Sequence, residues 1–193
     1  VAIATFMTTD YPEHNTFINI SSKFCKLGVD ILEFGIPFSD PIAEGRTIQE
    51  TTFKVLQNGT NIANCFESIE LIREMGYNTP IVIMGYYNPI LKFGLQTFTQ
   101  KANAVGVDGI IVADLPVEES NYLRNLCNNN NIHLIQMLAP TSTSERIKKT
   151  CEIASGFIYC VSLTGVTGAR KNIGPEIELL VAKIRSHTSI PIM

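Results

Sequence analysis

The feature that most restricts the fold is a recurrence: short, uncharged apolar runs alternate with longer stretches whose apolar residues return every three or four positions. Ile81-Val82-Ile83-Met84 and Gly109-Ile110-Ile111-Val112-Ala113 are two such runs. Runs this short and wholly apolar read as parallel strands covered on both faces, because a strand with one wet face would alternate. Between the runs, Phe17, Ile20, Phe24 and Leu27 recur at helical spacing, and so do Ile62, Cys65, Phe66, Ile69 and Ile72. Strict alternation of strand and helix implies a parallel sheet wrapped by helices.

Taken in order, the pattern predicts strands at 2–7, 29–34, 81–84, 109–113, 132–138 and 157–161, with Ile190-Pro191-Ile192-Met193 as the start of a seventh. Helices are predicted from Glu13 to a stop at Gly28, from a Thr47 cap to Leu56, and again after Asn58-Gly59. Others are expected near 94–105 and 117–127, from a Ser144 cap to about Ala154, and from Pro175 to about His187. The asparagine run at 128–131 reads as a solvated helix end. An internal echo adds to this: Leu27-Gly28-Val29-Asp30 and Val105-Gly106-Val107-Asp108 both end a helix at Gly and launch an apolar strand. They stand about two strand–helix units apart, which favours a closed barrel over an open sheet.

Composition removes several classes of function. With 193 residues, 45% of them hydrophobic, the chain can bury the core of one domain. No apolar run approaches the ~18 residues of a membrane span, and no signal peptide is visible, so the expected location is cytoplasmic. Cys25, Cys65, Cys127, Cys151 and Cys160 are odd in number and widely spaced, as reduced core thiols would be. A net charge of −3 without basic clusters argues against nucleic acid as a partner.

Glu33 is the residue that stands out. It interrupts the apolar run Ile31-Leu32-Glu33-Phe34-Gly35, which then breaks at Pro37 and Pro41 into a loop ending in a second acid, Glu44. Alternation would send Glu33 either to the wet face of an edge strand or into an apolar pocket. The long loop that follows favours the pocket. In eight-stranded barrels the chemistry lies at the carboxyl ends of the strands. Those ends present Phe6, Thr8, Glu33, Met84, Tyr86, Asp114, Met137, Leu138, Tyr159 and Ser162, a mostly apolar surface suited to a flat hydrophobic ligand fixed by few charges. No lysine falls at a strand terminus, which disfavours Schiff-base chemistry. His14, His133 and His187 are too scattered to hold a metal. Acid–base work by carboxylates remains.

The stretch from Ile31 to Gln49 closely resembles the signature of the tryptophan synthase alpha subunit, a lyase on a (β/α)8 TIM barrel. The resemblance continues in register through Met84-Gly85-Tyr86-Tyr87-Asn88-Pro89, Val112-Ala113-Asp114-Leu115-Pro116-Val117-Glu118-Glu119-Ser120 and Gly165-Val166-Thr167-Gly168-Ala169. Relative to that family the chain lacks the amino-terminal helix and everything from the middle of strand seven. It is therefore expected to be one barrel domain over 1–193, incomplete at its carboxyl end.

The resemblance implies retro-aldol cleavage of indole-3-glycerol phosphate to indole and glyceraldehyde 3-phosphate in tryptophan biosynthesis. Glu33 matches the family's catalytic acid/base and Tyr159 a tyrosine beside it. Glu44 matches an aspartate that recognises the indole N–H, here one methylene longer, while Arg46 replaces a proline and is expected to pair with Glu44 or with phosphate. Phe6, Ile48, Met84 and Ile111 match residues that enclose the indole, although ordinary core packing accounts for them equally. Tyr86 and Asp114 match polar residues around the site, with helix capping an alternative for Asp114. Thr167 and Gly168 match a loop that closes over the substrate and its phosphate. The family implies no metal and no cofactor in this subunit, and a beta subunit carrying pyridoxal phosphate (PLP) as partner in an a2b2 heterotetramer, with Asp40 at the contact. Two alternatives stand beside this reading: a weakly active subunit whose task is to activate the beta subunit, and a stand-alone indole-releasing barrel lyase.

Overall fold

The computed structural model describes residues 2–161 and 175–193. Strands and helices alternate: β1 (Ala4–Thr8), α1 (His14–Lys26), β2 (Ile31–Gly35), α2 (Arg46–Gln57), α3 (Ile62–Glu74), β3 (Ile81–Gly85), α4 (Tyr87–Phe93) and α5 (Leu95–Ala104). They continue with β4 (Gly109–Val112), α6 (Asn121–Asn129), β5 (His133–Leu138), α7 (Ser144–Ile153), β6 (Ile158–Cys160) and α8 (Pro175–Arg185). The strands form one six-stranded sheet in sequence order, parallel at every pairing. Ile192 bridges to Ile158 in the same sense, where a seventh strand is expected.

Register decides which side chains face inward. Phe6 pairs with Glu33, Glu33 with Val82 and Val82 with Gly109, so these residues share one face of the sheet. One step toward the carboxyl ends, Thr8, Gly35, Met84 and Ile111 form the next row on that face. The inward face is curved: Phe6, Ile31 and Tyr159 pack against a single cluster of Val82, Met84, Ile111, Ile135 and Phe157, drawn from the first strand to the last. Only a sheet curled into a barrel wall brings those strands together.

The opposite face builds a second core against the helices. Leu32, Phe34, Ile81, Ile83, Ile110 and Leu134 pack with Phe17 of α1 and with the α3 row Ile62, Cys65, Phe66, Ile69 and Ile72. All five predicted α3 positions are buried. Phe17 meets Phe34 edge-on at 4.8 Å between ring centres. Each fully buried Phe or Ile contributes roughly 1.5–3 kcal/mol, which is why the strand runs are apolar on both sides.

The internal echo has a structural counterpart at the amino ends of the strands. Asp30 Oδ2 accepts the Ile3 N–H at 2.7 Å, and Asp108 Oδ2 accepts the Ile81 N–H at 2.8 Å. Each aspartate ties the start of its own strand to the start of the preceding one. The second site also holds Arg73 of α3, which donates to Gly106 O (3.1 and 2.8 Å), Tyr77 O (2.9 Å), Thr79 O (2.8 Å) and Asp108 Oδ2 (2.9 Å). A side chain at position 106 would sit 2.9 Å from Arg73 Nε and φ there is +85°, so glycine is required twice over.

Several predicted boundaries move. Leu27, expected on the buried face of α1, is the C-cap and 80% exposed, because the helix ends at Lys26 and the chain turns at Gly28. Gly45, not Thr47, caps α2: the turn in which Glu44 N–H donates to Pro41 O starts the helix earlier. Thr143, not Ser144, caps α7, its hydroxyl accepting the Arg146 N–H at 3.2 Å. Helix α4 escapes the periodicity because Pro89 reads as a loop, yet a proline in the first helical turn loses no bond it needs. Helix α6 starts later than expected, since 116–120 make turns instead.

Candidate active site

Glu33 occupies an inward position at the centre of β2, and the register that places it there also places Phe6 and Val82 beside it. It is 3% exposed. Its Oε1 has no hydrogen-bond partner among the described residues. Burial, and after it the nearby Glu44 carboxylate, push the Glu33 pKa from the ordinary 4.5 up to about 7. The next inward position of β2 is Gly35, where a Cβ would lie 2.7 Å from Phe6 Cζ. The Phe6 ring therefore crosses the backbone directly above Glu33, toward the carboxyl end of the strand.

Glu44 comes from the loop between β2 and α2 and is also buried, which raises its pKa. Two contacts hold its backbone, Glu44 N–H donating to Pro41 O at 3.0 Å and Gln49 Nε2 donating to Glu44 O at 3.0 Å, and the preceding Ala43 N–H donates to Tyr86 Oη at 3.0 Å. Arg46, expected to pair with Glu44 or phosphate, instead pairs with Glu50 one helical turn away at 2.8 Å and is almost wholly exposed. Phe6, Ile48, Met84 and Tyr86 line one narrow cavity together with Glu44, Thr8 and Gly35. Ile111 is fully buried one strand away, in the inward cluster that contains Met84.

Two phenols flank the carboxylates. Burial, followed by the charges of Glu33 and Glu44, pushes Tyr159 up to about 12, and burial does the same for Tyr86. Both stay neutral. Asp114 is exposed at the end of β4 and accepts the Tyr87 N–H at 2.7 Å, so it caps the start of α4 rather than the helix after Pro116. Asp40 is exposed on the β2–α2 loop, bonded to Ser39 Oγ at 2.6 Å, beside Ile42, which is 83% exposed. Thr167 and Gly168 lie outside the described residues.

Sequence reasoning passed over three contributors. Gln49 holds the Glu44 carbonyl, Thr51 meets Thr8 hydroxyl to hydroxyl at 2.8 Å, and Gly35 makes room for Phe6. Only Gly35 carries a signal in the sequence, as a glycine ending an apolar strand. No group of His, Cys, Asp and Glu among the described residues is arranged to hold a metal ion. A far larger cavity, about 710 Å³, opens at the opposite end of the barrel, lined by Ala4, Ile31, Val82, His133 and Phe157. Its lining contains no buried acid.

A buried carboxyl whose pKa is raised to about 7 on the apolar inner face of a barrel wall, with a second acid on the adjoining loop, defines a class: barrel enzymes that move protons by means of carboxyl groups. A family profile described as "Tryptophan synthase alpha chain" matches residues 1–193. The tryptophan synthase alpha chain of Roseiflexus castenholzii is 41% identical over 192 residues, covering all of this chain and 74% of that protein. A structure of the tryptophan synthase a2b2 complex from Pyrococcus furiosus superposes with a TM-score of 0.91 at 34% identity, covering 99% of this chain and 76% of that one. The tryptophan synthase structure from Mycobacterium tuberculosis gives 0.91 at 32% identity over 100% and 73%. The chain belongs to the tryptophan synthase alpha chain family.

Proposed function

We propose that this chain cleaves indole-3-glycerol phosphate to indole and glyceraldehyde 3-phosphate, with Glu33 as the acid and base. The C–C bond between indole C3 and the glycerol chain breaks when C3 gains a proton and the adjacent glycerol hydroxyl loses one. The bonding electrons return to the ring and the hydroxyl carbon becomes the aldehyde. A carboxyl with a pKa of about 7 holds a proton to give and, once ionised, accepts the hydroxyl's proton. Glu44 stands where a carboxylate offsets the positive charge that protonation of C3 places on the ring nitrogen. Phe6, Ile48, Met84 and Ile111 supply the apolar walls and exclude water from the reacting carbon. Tyr159 packs against the same inward cluster as a neutral neighbour of Glu33.

The observation that carries this reading is the buried Glu33 carboxyl, whose Oε1 has no hydrogen-bond partner among the described residues, in a largely apolar interior. Its test is Glu33→Gln in the intact polypeptide assembled with its beta subunit. Indole release should fall by about a thousandfold with the circular dichroism spectrum unchanged, and retained turnover refutes the assignment. The subunit itself needs no cofactor; PLP belongs to the beta subunit. The β2–α2 loop, with exposed Asp40 and Ile42, is the surface assigned to that partner, and the cytoplasm the compartment.

A further inference from the structure

Glu44 sits on a loop that is neither strand nor helix, and a carboxylate so placed is useful only if the loop is held. Two backbone contacts of Glu44 itself are local, to Pro41 and to Gln49. Beside them one crosses to the next strand: the Ala43 N–H donates to Tyr86 Oη at 3.0 Å, from a residue that directly follows β3. The Tyr86 ring also packs against Phe38 of the same loop, 5.3 Å between centres. Tyr86 is itself fixed. It is 3% exposed, and the following amide, Tyr87 N–H, is held by Asp114 Oδ1 at 2.7 Å from the end of β4. Three successive loops of the barrel are thus linked through hydrogen bonds that end one residue short of Glu44.

We propose that Tyr86 is a positioning residue: by accepting the Ala43 N–H it sets where the Glu44 carboxylate stands over the substrate ring, with Asp114 anchoring it from behind. The inference rests on the functional reading above and assigns Tyr86 a role toward the loop rather than toward the substrate. The phenol suits this task because burial keeps it neutral, so it supplies an acceptor without adding charge beside two carboxyl groups. Ala43 is exposed, so water replaces a lost acceptor and the fold tolerates the change. What changes is precision, and displacement of a charged group by about 1 Å costs up to a hundredfold in rate.

The test is Tyr86→Phe, which keeps the ring against Phe38 and removes only the acceptor, in the intact polypeptide with its beta subunit. The expected result is a drop in kcat for indole release of about tenfold, KM within about twofold, and a thermal midpoint within about 2 °C of the parent. In a Glu44→Gln background the same change should cost nothing further, because its effect passes through Glu44. Amide hydrogen exchange gives a readout independent of turnover: Ala43 should be protected in the parent and exchange at least about tenfold faster in Tyr86→Phe. Asp114→Ala should show the same pattern more weakly. An unprotected Ala43 amide in the parent, an unchanged kcat, or a Tyr86→Phe loss that persists undiminished beside Glu44→Gln each overturn the positioning role. If Glu33→Gln still releases indole, the functional reading itself falls, and the role of Tyr86 in it falls too.

Discussion

The Glu33 carboxyl makes a quantitative demand on stability that can be read without substrate. Folding removes it from water and leaves one oxygen unpaired among the described residues, and burial, followed by Glu44, lifts its pKa from 4.5 to about 7. A raised carboxyl keeps its proton in the folded chain while the unfolded chain releases it. Stability from this group is therefore fully present below pH about 4.5, falls as pH rises toward about 7, and is level above that. The interval of about 2.5 units corresponds to about 3 kcal/mol. Glu33→Gln puts a neutral side chain of the same size in the same place and removes this group's contribution to the pH dependence. The assay is urea unfolding of both chains at pH 5, 6, 7 and 8. The stability of the variant relative to the parent should rise by about 2.5 kcal/mol from pH 5 to pH 8, most of it before pH 7, since part of the total is already lost at pH 5. Parallel curves would mean that Glu33 ionises freely in the fold, and would remove the physical basis for its role as an acid near neutrality.

Two further substitutions probe the frame around the site. Gly35→Ala places a methyl 2.7 Å from Phe6 Cζ; it should cost about 1–3 kcal/mol in thermal unfolding and raise KM as the ring is driven into the cavity, and an unchanged KM would show that Phe6 has room to yield. Arg73→Met strips the hydrogen bonds from Gly106, Tyr77 and Thr79 carbonyls and from Asp108 at the far end of the barrel; urea unfolding should show a loss of about 3 kcal/mol, with turnover at the folded temperature close to the parent's.

Legibility followed the range of the physics. Strand–helix alternation, the α3 face and the Leu-Gly-Val-Asp echo were all readable, because burial periodicity and glycine turns act over a few neighbouring residues. The echo even extends to function within the fold, since Asp30 and Asp108 accept matching backbone amides. Helix starts were misplaced at Thr47 and Ser144 because several adjacent residues are competent caps, and only the path of the incoming chain selects one. Arg46 looked like a partner for Glu44, yet helical spacing delivered it to Glu50.

By itself, the order of residues determined that this chain builds a wall of parallel strands between two apolar layers, and that an acid interrupts the second strand. It also carried the family's residue pattern, since that pattern is a property of types and spacing. For the direction of Glu33 a period of two offers both faces; the loop that follows favoured the pocket, and the structure settles it by placing Glu33 in register with Phe6 and Val82 of the inward cluster. The contact of Ala43 with Tyr86, and the proximity of Glu44 to Glu33, were likewise decided only in three dimensions. Hydrogen bonds and charges act over a few ångströms, and only the pairing of the strands brings Ala43 and Tyr86, 43 positions apart in the chain, within that distance.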